Sequence, residues 1–283
     1  MLRIYRQKFS VYLKIILILC TSACQTLKNP GSDEKKADEV LATQKSLVIN
    51  YLNESQPGMA LKELRPLERE HPQDADLKNL MGLVYLSLQN SKEALGYFET
   101  AYKLDIRAPI ALNLSSALIE TGQPMRAIKI LKKLQASEAG KSYQYPERIQ
   151  HNIGLAAERM KKYNLAEKYY KLALIDNPTF YISLMRLGAT YELMQKRGFA
   201  YQQYMKAHEA CLKCFDPVQA SVQIQLKAGK TDLALKTLQE YLTNRELEPK
   251  DRAKAQQLLG SAHKVNNQIQ AQRGGAPRTT SPQ

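Results

Sequence analysis

The chain has 283 residues, 44% hydrophobic and 24% charged, a composition that excludes wholesale disorder and leaves ample apolar material for a core. Forty-one Lys and Arg against 27 Asp and Glu give a net charge of +14, and aromatics make up only 7% with no Trp. Ala, Leu, Lys, Gln and Glu crowd long stretches while β-branched runs are scarce, so the expectation is a mostly helical chain. A basic balance ordinarily raises nucleic acid as a partner. The first residues argue against it.

Arg3, Arg6, Lys8 and Lys14 form a basic lead without an acid, followed by Ile15-Ile16-Leu17-Ile18-Leu19-Cys20 and then Thr21-Ser22-Ala23-Cys24. That order is the pattern of a bacterial secretory signal peptide over residues 1–23. Its apolar run is too short to span a bilayer, which takes about 20 residues. Small residues before Cys24 resemble the lipobox of bacterial lipoproteins, which implies cleavage before Cys24 and lipidation of its thiol. Thr21 stands where the lipobox most often has Leu, and Thr21-Ser22-Ala23 also fits an ordinary cleavage site. Gln25 after the cysteine implies the outer membrane in the sorting logic of such lipoproteins. Removal of residues 1–23 would leave a net charge of +10. Residues 24–40, with Asn29-Pro30-Gly31-Ser32-Asp33 and a charge run, read as a flexible tether.

Alanines recur at Ala60, Ala94, Ala127, Ala166, Ala200 and Ala234, spaced 34, 33, 39, 34 and 34. Twelve residues before each stand Val48, Gly82, Ser115, Gly154, Gly188 and Val222; four after each stand Leu64, Phe98, Leu131, Tyr170, Tyr204 and Leu238. The offset of four marks one helix face, and the small residue and the alanine suit a close crossing of two helices. Pro72 and Pro178 fall where a second helix should stop, and Gly122 and Gly229 fall in the turns inside a hairpin. This pattern resembles the tetratricopeptide repeat. The fold class that follows is all-α: six helix-turn-helix repeats over 41–250 in a right-handed superhelix, a capping helix at 251–272 and a disordered tail at 273–283. The 39-residue spacing places an insertion at 136–146.

Signals of catalysis are weak. The four histidines are scattered, with no HExxH, no phosphate-cradling Gly loop and no nucleophile elbow, so neither an enzyme activity nor a cofactor, metal or small-molecule substrate is expected. Cys211 and Cys214, with His208 three residues before, would be the free thiols of a processed chain. An exported compartment favours a structural disulfide between them; unpaired buried thiols and metal or redox chemistry are the other readings.

In a tetratricopeptide array the inner groove is lined by the first helix of each hairpin. Counting along these helices assigns partner binding to Asn79, Leu83 and Leu86, to Asn113, Ser116 and Ile119, to Arg148, His151, Asn152 and Leu155, and to Arg186, with Leu80, Leu86 and Leu112 equally open to a packing role. Mixed leucine, amide and basic residues suit an extended or helical peptide. Taken together, the export signal and the repeats resemble the PilF/PilW/Tgl family of outer-membrane lipoproteins, and the best stretch is Ala166 to Leu193. The resemblance implies a pilotin: a lipid anchor at Cys24 in the outer membrane, and secretin subunits of the type IV pilus as the partner. The alternative is a general envelope scaffold that recruits peptidoglycan enzymes or outer-membrane assembly factors.

Overall fold

The computed structural model describes residues 30–274, so Cys24, the 1–23 leader and the end of the tail at 275–283 lie outside the described residues. Among those described, fourteen α-helices follow one another without a strand. The chain divides into two units, residues 1–88 and 89–283.

The described part of the first unit contains α1 (Pro30–Asn53), α2 (Pro57–Glu70) and α3 (Ala75–Ser87), with α2 packed on both α1 and α3. α1 corrects the expected tether, because residues 30–40 are helical rather than extended. The reason is local: Pro is well placed at the first position of a helix, and the Glu, Lys, Ala and Leu that follow are strong helix formers. Val48, Ala60, Leu64 and Leu77 are fully buried here. Asp74 caps α3 by accepting from the Leu77 amide at 3.0 Å, and Lys45 donates to the same carboxylate at 2.6 Å.

The second unit holds α4 (Ser91–Leu104), α5 (Ala108–Glu120), α6 (Pro124–Ala136), the short α7 (Glu138–Lys141), α8 (Pro146–Arg159), α9 (Tyr163–Asp176), α10 (Tyr181–Leu193), α11 (Arg197–Ala210), α12 (Phe215–Lys227), α13 (Thr231–Leu242) and α14 (Pro249–Gly274). The pairs α5/α6, α8/α9, α10/α11 and α12/α13 are hairpins, and each second helix also packs on the first helix of the next hairpin. α14 packs on α12 and α13. Its buried side carries Ala255 and Ala262, flanked by Leu258 and Leu259, whereas Val265 is exposed.

Before each repeating alanine, the turn between helices has one residue in the left-handed region: Ser55, Gln89, Gly122, Lys161, Gln195 and Gly229, with φ between 58° and 78°. These lie five residues before the six repeating alanines. In five of the turns the next amide donates back over five residues, as Lys162 does to the Ala157 carbonyl at 2.9 Å. Two turns use Gly, which adopts this backbone freely, and four do not.

The small residues of the first helices correct one expectation in detail. Gly154 lies under the ring of Tyr170, and a Cβ there would come within 2.7 Å of two ring carbons; at Gly188 the nearest ring carbon of Tyr204 would be 2.5 Å away. Glycine therefore makes room for the aromatic of the second helix, four residues past the alanine, rather than for the alanine alone. Where that partner is Leu131 or Leu238, the first helix carries Ser115 or Val222 instead. The two volumes trade against each other, as close packing demands.

Between α6 and α8 the 136–146 insertion is partly ordered as α7, held by Ser137 Oγ accepting from the Gly140 amide at 3.2 Å. Cys211 and Cys214 form a disulfide in the loop between α11 and α12, with Cα atoms 5.4 Å apart. That loop rests on the end of α13, where the Tyr241 hydroxyl donates to the Lys213 carbonyl at 2.8 Å. Burial lowers the pKa of the nearby His208, and no group of three or more metal-binding side chains occurs among the described residues.

Candidate partner-binding cleft

In the second unit, α5, α8 and α10 present one cleft of about 500 Å³ lined by Leu112, Asn113, Ser116, Arg148, His151, Asn152, Leu155, Phe180, Ile182 and Arg186. Seven residues that the repeat register assigns to a groove, namely Asn113, Ser116, Arg148, His151, Asn152, Leu155 and Arg186, are thereby brought together. The helical period explains it: 148, 151, 152 and 155 lie on one face of α8. Asn79, Leu83 and Leu86 sit half-buried on α3 in the first unit.

Two positions in register with the groove belong to packing. Leu80 and Ile119 are 6% and 3% exposed and are core residues. α5 is covered by α4, α6 and α8, so its apolar side chains are buried on nearly every face. Leu112, also mostly buried, forms part of the cleft wall.

His151 ties α8 to α10, with its Nδ1 2.8 Å from the Ser183 hydroxyl. Its ring lies 5.5 Å from those of Tyr170 and Phe180. Burial, reinforced by the Arg186 guanidinium, lowers its pKa to about 4, so the imidazole is neutral at pH 7. It shapes the cleft without adding charge.

Asn152 is a positioned amide. The Ser115 hydroxyl donates to the Leu112 carbonyl at 2.7 Å, so its lone pair faces Asn152 Nδ2, which donates to it at 3.0 Å. This clamps α8 onto α5 and leaves Oδ1 as the acceptor that Asn152 can offer.

The two arginines are held in place. Arg148 lies over the Tyr145 ring at 5.1 Å, and Tyr145 meets Tyr143 edge to face at 5.8 Å. Both tyrosines come from the insertion, which therefore furnishes the platform under Arg148. Arg186 Nη1 is 3.4 Å from Glu158 Oε1, while Oε2 of the same carboxylate accepts from the Tyr170 hydroxyl at 2.8 Å. Burial and the neighbouring Glu158 push the Tyr170 phenol well above its ordinary pKa. Arg148 and Arg186 are both exposed at the cleft, and no Asp or Glu lines it.

Phe180 and Ile182 are further cleft residues; Ile182, 34 residues after Arg148, holds the same place in its repeat, whereas Phe180 precedes the helix. They lie immediately before and inside the first turn of α10, and their signal is a pair of bulky apolar residues at a loop-to-helix entry. Ile182 is 51% exposed, which leaves its side chain available at the cleft.

Tetratricopeptide-repeat family models match residues 46–109 and 147–174. Among curated proteins, the Xenopus laevis "Tetratricopeptide repeat protein 21B" is 30% identical over 87 residues, a match that covers 31% of this chain and 7% of that much longer protein. Among solved structures, the chain is similar to PilW, described as a widely conserved type IV pilus biogenesis factor, at TM-score 0.64 and 18% identity over 76% of this chain and 97% of that one. The Pseudomonas aeruginosa PilF structure is similar at TM-score 0.60 and 19% identity, covering 77% of this chain and 97% of that one. At such identities the likeness speaks for the fold, which with the family matches and the helical hairpins is all-α and contains tetratricopeptide repeats.

Proposed function

We propose that the chain binds a protein partner through the α5/α8/α10 cleft and performs no reaction of its own. The observation that carries this is the cleft itself: apolar side chains, a positioned amide and two anchored guanidiniums face outward on rigid helices. Such a surface offers hydrophobic anchoring together with polar registration of a peptide. The finer reading is a pilotin, an outer-membrane lipoprotein held by acyl chains on Cys24 that assists assembly of the type IV pilus secretin. Support comes from the leader and lipobox residues in the sequence, and from the likeness in fold to PilW and PilF. A membrane anchor would confine the bound partner to one surface and raise its local concentration for assembly.

The test is Cys24→Ala in the cell of origin, read by palmitate labelling and by secretin multimers on a heat-resistant gel. Loss of label together with a several-fold drop in multimers is expected. Unchanged multimers would remove the pilotin reading, and an unlabelled wild-type chain would remove the anchor.

A further inference from the structure

We infer that the cleft takes an extended acidic segment of its partner, carrying an Asp or Glu side chain beside a bulky apolar one. This rests on the cleft being the partner surface and names the chemistry that surface selects. Arg148 and Arg186 are the charged residues of the lining, one on α8 and one on α10, and no acid accompanies them. Each already has part of its guanidinium engaged, Arg148 by the Tyr145 face and Arg186 by Glu158, which orients the remaining N–H groups and lowers the entropy lost when a carboxylate binds. Glu158 offsets part of the Arg186 charge from outside the lining, and Arg148 on α8 adds a second positive charge to the cleft. His151 is neutral and mostly buried beneath.

The rest of the lining sets the neighbour of the acid. Leu155, Phe180 and Ile182 offer an apolar bed, and Asn152 Oδ1 can accept a backbone N–H. From Arg148 to Leu155 the α8 face runs about 10 Å, at the helical rise of about 1.5 Å per residue. An extended strand, rising about 3.3 Å per residue, covers that length with about three residues. A basic segment would meet two like charges, which discriminates against it more strongly than apolar contact would discriminate for it. The net charge, +14 for the whole chain and +10 without residues 1–23, steers acidic partners in the same sense.

The occupant is an internal acidic side chain rather than a chain terminus. Capture of a terminal carboxylate relies on clustered backbone N–H groups or free amide donors, and the Asn152 amide nitrogen faces the Ser115 and Ser116 hydroxyls, at 3.0 and 3.4 Å.

The experiment is fluorescence anisotropy of the full chain with four labelled octapeptides. One is amidated at its C-terminus with a centre alternating Asp and Leu; the second has Asn for each Asp; the third has Lys for each Asp. The fourth is the Asn peptide with a free terminal carboxylate. The acidic peptide should bind at least tenfold more tightly than the other three. Arg148→Gln with Arg186→Gln should reduce it to the level of the Asn peptide while leaving the melting temperature within a few degrees. His151 ring signals should shift on titration with the acidic peptide, which places it in this cleft. Equal binding of the Asp and Asn peptides, tighter binding of the Lys peptide, or no binding of the Asp peptide would overturn the inference. So would parity of the free-carboxylate peptide, by making the terminus the ligand. A natural partner cross-linked at Ile182 without any acidic preference would leave the proposed function standing and remove this inference alone.

Discussion

Repeats four and five solve the contact between their two helices differently from repeats three and six. In the former, Gly154 and Gly188 lie under Tyr170 and Tyr204, and the turn residues Lys161 and Gln195 are forced into the left-handed region. In the latter, Ser115 and Val222 go with Leu131 and Leu238, and the turns have Gly122 and Gly229. The first arrangement costs more locally: glycine weakens a helix interior, and a left-handed residue with a Cβ is strained. In return, each tyrosine carries a hydroxyl to the hairpin's edge, where Tyr170 donates to Glu158 and Tyr204 to Glu192. Glu158 then orients Arg186 in the cleft. A leucine fills the volume but has nothing to hand on. The difference shows that packing in the middle repeats also positions the residues offered to a partner.

Swapping the two solutions gives the largest expected effect. Tyr170→Ala should cost about 3–5 kcal/mol, as deletion of a buried aromatic does. Gly154→Ala should lose about 1–3 kcal/mol by overpacking, and joining it to Tyr170→Leu should recover about 1 kcal/mol relative to the sum of the single changes. Chemical denaturation measures all three, and strict additivity would show that Gly154 and Tyr170 do not share one space.

A smaller effect separates repeat four from repeat three, whose residue matching His151 is Leu112. A histidine with a pKa near 4 in the folded chain and about 6.5 when unfolded takes up its proton more readily in the unfolded state. Stability is therefore lost as pH falls below about 6.5, by about 2 kcal/mol between pH 6.5 and 5. Urea midpoints across that range should slope for the wild type and flatten for His151→Gln. A slope that survives the substitution would assign the titration elsewhere.

The smallest effect is at the turns. Lys161→Gly and Gln195→Gly should each raise stability by up to about 1 kcal/mol, and Gly122→Lys should lower it by a similar amount, read as shifts in melting temperature. No gain at Lys161 would mean that its side chain contributes to the turn beyond tolerating it.

The periodic alanines and the Pro and Gly punctuation suffice to derive the hairpins, because each reports a local steric need. Seven cleft residues follow from the same register, since helical spacing alone decides which side chains share a face. Ile182 is legible by the same count, one repeat after Arg148; Phe180 is not, because it enters from a loop whose path depends on how α9 hands over to α10. The role of Tyr145 is hidden for the same reason: an 11-residue insertion carries no period, and its contact with Arg148 is tertiary. Leu80 and Ile119 sit in register with the groove yet are buried, because pattern gives direction around one helix and not what its neighbours cover. The helix at 30–40 is a different case, in which turn-forming Asn29-Pro30-Gly31 outweighs in the eye a run of good helix formers just behind it.

Site-specific photo-cross-linking in the cell of origin tests the central claim most directly. A photoreactive residue at Ile182, in the cleft, is compared with one at Ile175, which is 74% exposed on α9 and outside it. The account predicts one dominant adduct from position 182, little from 175, and loss of the 182 adduct in an Arg148→Glu background. Equal adducts from both positions, or a dominant one from 175, would contradict it.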